Sequence, residues 1–186
     1  FPRTEATGSM IIEKVKLDRL AGSTPGVIEG ASFQRIEGIG PLTIDSRSSL
    51  EVYAGIHGDD TELIISADGD VASEVRLSGE STYGGRTVVG DGSRLLAQDD
   101  FSLSPNSSVG IEKGGVIDLQ GYSNRISVLS GEGTIVLNPR LEVTPASDEE
   151  LQGAALTIES GSFAGSIQDG GFSGLGSVIK DGEGDL

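Results

Sequence analysis

The chain of 186 residues has no cysteine, no tryptophan, a single histidine, a single methionine and only 4% aromatic residues. Without thiols there can be neither a disulfide staple nor a thiolate metal site. The lack of cysteine also suits a protein that crosses a membrane unfolded, although a small acidic domain can lack it by chance. With 35% hydrophobic residues and so few rings, the sequence is too lean to fill one thick globular core, and a long thin core suits it better. Basic residues are scarce as well. The balance of 13 Lys+Arg against 29 Asp+Glu leaves a formal charge of −16, a surface that repels phosphate backbones and anionic membranes and places nucleic acid last among partner classes. No apolar run reaches the length of a membrane-spanning helix, and no charged-then-apolar leader opens the chain. Met10 follows Gly8 and Ser9 in the manner of an expression-tag junction. Residues 1–10 are therefore set apart as a tag remnant, and 11–186 are expected to be the folded fragment of a longer protein.

Glycine, by contrast, is abundant: 29 residues, mostly single or paired between short apolar stretches, which is turn punctuation. From Gly22 onward apolar residues recur in pairs one residue apart: Leu42 and Ile44, Leu50 and Val52, Leu63 and Ile65, Val75 and Leu77, Val109 and Ile111, Ile117 and Leu119, Ile126 and Val128, Ile135 and Leu137, Leu141 and Val143, Leu156 and Ile158. The adjacent residues Val27 and Ile28, and Val88 and Val89, belong to the same series. Residues one apart share a strand face, so each pair points inward and the residue between them points out: Gly110, Asp118 and Ser127 in three of the strands. The intervals are too short for crossover helices and too irregular for a run of tight hairpins, so the spacing predicts an all-β parallel β-helix. An antiparallel sandwich is the alternative, and it would want more aromatics and clearer hairpin dipeptides. Ile11 to Leu20 fits neither period cleanly and is assigned as strand.

Leu77 to Leu95, L-S-G-E-S-T-Y-G-G-R-T-V-V-G-D-G-S-R-L, resembles the β-strand repeat of autotransporter passenger domains, the type V secreted proteins of Gram-negative bacteria. Tyr83, Gly84, Gly85, Thr87, Val88 and Val89 match that unit, while Ser81 and Arg86 depart from it. Leu103 to Leu137 and Phe163 to Leu186 (F-A-G-S-I, then G-S-V-I-K-D-G-E-G-D-L) are similar to further passenger elements. The resemblance implies a right-handed parallel β-helix, secreted or displayed at the bacterial surface and tethered to the outer membrane by a C-terminal barrel outside this sequence. It also implies adhesion to a host cell-surface protein or glycan, with the fragment acting as a monomer and not as an enzyme.

Catalytic chemistry has few candidates. A Ser/His/Asp triad would need His57, with Asp59, Asp60 or Asp45 as orienter, yet no G-x-S-x-G elbow is present; His57 between Gly55 and Gly58 reads as a solvated turn residue. Glycan-cleaving chemistry would need paired carboxylates, and the groups on offer are Asp59, Asp60 and Glu62; Asp68 and Asp70; Asp99 and Asp100; and Asp148, Glu149 and Glu150. In so acidic a chain these read as solvated turns. No turn matches a calcium-loop spacing, so no metal and no cofactor are expected, and no residue is assigned to a binding site. The scarce aromatics Tyr83, Tyr122, Phe101, Phe163 and Phe172 are expected to pack at corners, with an exposed ring as the functional alternative. The run Leu141 to Gly153, broken by Pro145, is expected to protrude as a loop. A passive stalk and a glycan-directed enzyme are the other two functions open at this point.

Overall fold

The computed structural model describes residues 9–12, 15–20, 28–33, 35–39, 42–46, 49–67, 72–139, 153–170, 176–183 and 185, with side chains placed at 35–36 and from 49 onward. The described chain is all strand and turn. It opens with β1 (Ser9–Ile12) and β2 (Val15–Leu20), then winds through β3 (Ile28–Phe33), β4 (Ile36–Ile39) and β5 (Leu42–Ser46). Next come β6 (Ser49–Val52), β7 (Ile56–His57) and β8 (Thr61–Ile65). From there each coil keeps two main strands: β9 (Glu74–Leu77) with β10 (Thr87–Val89), β11 (Arg94–Ala97) with β12 (Ser108–Ile111), and β13 (Val116–Asp118) with β14 (Asn124–Gly131). The last coils hold β15 (Thr134–Val136) with β16 (Ala155–Phe163), and β17 (Ser166–Gln168) with β18 (Ser177–Lys180).

Alternate strands pair in parallel, so the coils stack into a β-solenoid with one seven-stranded sheet, β18-β16-β14-β12-β10-β8-β5, and one eight-stranded sheet, β17-β15-β13-β11-β9-β6-β3-β2. These parallel ladders exclude the antiparallel sandwich. The expected strand over Ile11 to Leu20 is present as β1 and β2, and these strands bring in antiparallel pairing that the cadence did not foresee: β1 with β4, and β2 with β3.

The register explains the paired apolar residues. Leu50 lies beside Val75, Val75 beside Leu95, Leu95 beside Ile117 and Ile117 beside Ile135, giving one aliphatic row up the inside of the eight-stranded sheet. Leu63, Thr87, Val109 and Leu129 form the facing row on the seven-stranded sheet. These side chains are buried, and each fully buried Leu, Ile or Val contributes roughly 1.5–3 kcal/mol. The core is therefore long and narrow, as the low aromatic content requires.

Two assignments need correction. Val88 and Val89 are adjacent and cannot share a face; Thr87 and Val89 are buried, while Val88 points outward. Val128 is 36% exposed and Leu129 is buried in its place. The reason is a corner inside β14: Ile126 pairs with Ile158 and Val128 with Ser160, but the Ser127 N–H between them turns away to Ser107 O at 3.1 Å. Asp118 does point out of the pleat, yet it is not solvated, because its neighbours cover it.

The third, narrow side of the solenoid has little strand, and side chains supply its missing hydrogen bonds. Ser81 Oγ accepts the Ile56 N–H at 3.1 Å, and Asn124 Oδ1 accepts the Leu103 N–H at 2.8 Å. Pairs Leu42–Ile44 and Leu141–Val143 have their side chains outside the described residues, as do Val27 and Ile28.

Candidate functional site

His57 stands at the end of β7, held between turns of Gly55 (φ 78°) and Gly58 (φ 120°). Its Nε2 lies 3.2 Å from Ala54 O and its Nδ1 2.9 Å from Thr82 Oγ1. A carbonyl can only accept, so in the neutral ring Nε2 donates to Ala54 and Nδ1 accepts from the Thr82 hydroxyl. Nε2 thus closes the turn of its own coil and Nδ1 clips that coil to the next, leaving neither for a serine or an orienting carboxylate. Asp59 and Asp60 are on the turn that follows, and the backbone of Asp45 sits in β5 beside Ile64. Sequence order placed Asp59 and Asp60 near His57, but the ring bonds to Ala54 and Thr82 instead; the Asp45 side chain lies outside the described residues.

The carboxylate groups separate in the same way. Glu62 pairs with Arg86 at 3.2 Å. Asp99 Oδ1 accepts the Asp100 N–H at 2.9 Å within its own turn, whereas Asp100 Oδ1 accepts the Ser123 N–H of the next coil at 2.7 Å. The clusters Asp68–Asp70 and Asp148–Glu150, residues 141–152 of the expected loop, and Phe172 lie outside the described residues. Among the described residues no three His, Asp or Glu side chains gather as a metal-binding group.

The aromatics divide. Tyr83 is fully buried, as expected of a corner plug, with its hydroxyl 2.6 Å from Thr87 Oγ1, which lies 2.9 Å from Ser107 Oγ on the next coil. Burial pushes its phenol up to about 12, against the pull of the Thr87 and Ser107 bonds. Phe163 packs against the core from its edge. Phe101 does the opposite: it adopts φ 59° and leaves its ring 55% exposed. Its backbone accepts from Ser81 N and donates to Ser123 O, so it occupies a level where Ser81 turns a small side chain inward. Tyr122 is half-buried on the coil that follows.

The outer faces of the two sheets differ in chemistry. The eight-stranded sheet carries charges in ladders: Glu51 beside Arg76, Glu74 beside Arg94, and an Arg76–Glu74 ion pair at 2.5 Å. Arg94 Nη2 donates to Asp118 Oδ2 at 2.7 Å, while the Asn138 amide and the Gln120 N–H complete the same carboxylate. The seven-stranded sheet has its own ion cluster at its far end, where Arg125 of β14 donates to Glu159 of β16 and to Asp181 at 2.9 Å each; the Glu159 bond leads in raising the Arg125 pKa.

On the seven-stranded sheet the outward row runs Ile64, Val88, Gly110, Ser130, Ser162, flanked by Ser108, Val128 and Ser160. No charged side chain occupies these positions, the ion pairs of this sheet, Glu62 with Arg86 and Arg125 with Glu159, lying outside them. Gly110 lacks a side chain between Val88 and Ser130, and an open groove of about 390 Å³ lies there, floored by Val88, Gly110, Ile111 and Gly131 and rimmed by Glu112, Lys113 and Glu132. Sequence reading placed Gly110 outward, but the groove depends on what the coils above and below contribute.

No protein-family model matches the chain, and no solved structure matches it significantly. The sequence is similar to the adhesin BmaC autotransporter of Brucella suis biovar 1 (strain 1330), being 28% identical over 108 residues. That alignment covers 58% of this chain and 3% of the Brucella protein, so the chain spans a small fraction of this relative's length.

Proposed function

We propose that the chain is a stretch of an autotransporter passenger, exported to the cell surface or released from it, which works by adhesion through the outside of its solenoid and not by catalysis. The observation that carries this is the similarity to an autotransporter adhesin of a chain whose described residues fold as a parallel β-solenoid. The physics supports the same reading. A stack of coils presents long rows of outward side chains on a rigid backing, a surface suited to contact with a protein or glycan of a host cell. The one histidine is consumed in structural bonds, so nucleophile activation by imidazole has no support.

The test is binding of the purified chain to cultured host cells over a concentration series, beside the same protein unfolded. Saturable binding by the folded form alone is the expected result; linear, fold-independent uptake would sink the adhesive reading. The 3% share of the Brucella protein favours a second reading, a passive stalk that holds a distal domain away from the membrane. A stalk would show no saturable binding and no sensitivity to point changes on its outer faces.

A further inference from the structure

Gly110 is the starting point. Glycine in the interior of a strand weakens it and offers no packing, so its presence needs a reason. For most glycines of this solenoid the reason is the backbone. Gly131 has φ 104°, and a Cβ there would collide with the Ile111 carbonyl; at Gly115 and Gly133 a Cβ would run into neighbouring main-chain oxygens. At Gly110 no such constraint exists. Its φ is not left-handed, and an added Cβ would meet only Ser130 Oγ, at the ordinary contact distance of 3.5 Å. What the missing side chain does is keep the groove open.

The lining says what would enter. The floor is the Val88 side chain with the backbone of Gly110, Ile111 and Gly131, the Ile111 side chain itself lying in the core, and it holds no aromatic ring on which a sugar could stack. The rim is acidic: the Glu112 N–H bonds Val89 O and the Glu132 N–H bonds Ile111 O, which sets the two glutamates on successive coils, about 4.8 Å apart in backbone height. Lys113 on the same turn leaves the rim net negative, within a chain of net charge −16. Within the sheet the positions nearest the floor, Val88, Ser108, Val128 and Ser130, are uncharged, so an apolar side chain seated there desolvates no ion.

We infer that the groove over Gly110 is the docking site for an extended, basic segment of a partner protein, with an apolar side chain seated on Val88 over the Gly110 backbone and a Lys or Arg head group at the rim beside Glu112 and Glu132. Charge complementarity with the acidic rim, on the open face of a parallel sheet, selects this occupant. The inference deepens the adhesive reading, on which it rests, by naming the partner's chemistry and where it sits.

The experiment titrates the full chain with a blocked peptide of alternating valine and lysine, followed by the amide and methyl NMR signals of Val88, Gly110 and Gly131. A valine–glutamate peptide of the same length is the control. Saturable shifts confined to the groove with the lysine peptide alone are expected. Gly110→Val should keep the thermal midpoint, since the site accepts a Cβ, and weaken binding by at least about tenfold; Gly110→Ala serves if the larger side chain disturbs the fold. The double change Glu112→Gln with Glu132→Gln should weaken it comparably. Equal response to both peptides, unchanged binding by the Gly110 variants, or shifts spread over the other acidic turns would each overturn the inference. Host-cell binding measured on Gly110→Val separates the two readings. Undiminished saturable binding discards the groove and keeps the adhesive reading, whereas groove-confined peptide binding without any cell binding does the reverse.

Discussion

Replacing Tyr83 with Phe should make the protein less stable at neutral pH and more stable in strong alkali. The phenol is fully buried and its hydroxyl bonds Thr87 Oγ1, so losing it costs about 1 kcal/mol. The Thr87 and Ser107 hydroxyls, 2.9 Å apart, still satisfy each other. Burial raises the phenol from 10.0 to about 12. Below pH 10 the phenol is protonated whether the chain is folded or not, and stability is complete. Between pH 10 and pH 12 the unfolded phenol ionises while the folded one cannot, so the unfolded state binds fewer protons and stability falls as pH rises. At about 1.4 kcal/mol per pH unit the wild type loses roughly 2–3 kcal/mol over this window, a large part of an ordinary domain's net stability. The variant does not carry this loss, and every other titrating group is common to both chains. Urea unfolding measured at steps of pH should therefore give two stability curves that cross between pH 10 and pH 12. Tyrosinate absorbance supplies an independent view: of three tyrosines, one should ionise only as the fold is lost. Parallel curves, or a Tyr83 that titrates with the other two, would refute the reasoning.

Two further perturbations probe the outer surface and the turns. Arg94→Leu strips the cation from Asp118, whose side chain is only 4% exposed, and should cost about 1–3 kcal/mol by urea midpoint, less than for a fully buried pair because Arg94 itself is 48% exposed; adding Asp118→Asn should recover much of that loss. Gly131→Ala forces a left-handed alanine against the Ile111 carbonyl and should destabilise by about 1–3 kcal/mol, whereas Gly110→Ala should stay within about 0.5 kcal/mol; a thermal melt in which the two behave alike would contradict the account of these glycines.

The paired aliphatics were legible because a strand's alternation is strict and local: Leu63 with Ile65 and Val75 with Leu77 needed no knowledge of their neighbours to be placed inward. Where the chain turns within a strand, that rule stops applying. Ser127 gives its N–H to Ser107, the phase slips by one, and Val128 goes to solvent while Leu129 takes the core. Burial of outward residues was equally hidden, since Asp118 is covered by Arg94 and Asn138, each about one coil away along the chain. The narrow side was unreadable for a related reason. Ser81 looks like a loop residue and Asn124 opens β14, and the role of both side chains as surrogate strand partners emerges only when the coils are stacked. The groove belongs to this class: Gly110, Gly131 and Glu132 are ordinary singly, and only the register sets them around one opening.

The direction of the ladder hydrogen bonds has a mechanical consequence. They run along the solenoid axis, from each coil to the next, so tension applied between the two ends loads successive coils in series and concentrates on the outermost ladder, which opens bond by bond. A coil of roughly 20 residues that peels away adds up to about 70 Å of slack, while the coils beneath it keep their rows intact. Such a rod yields to a steady pull by lengthening in steps, and it holds its remaining surface in register as it does so.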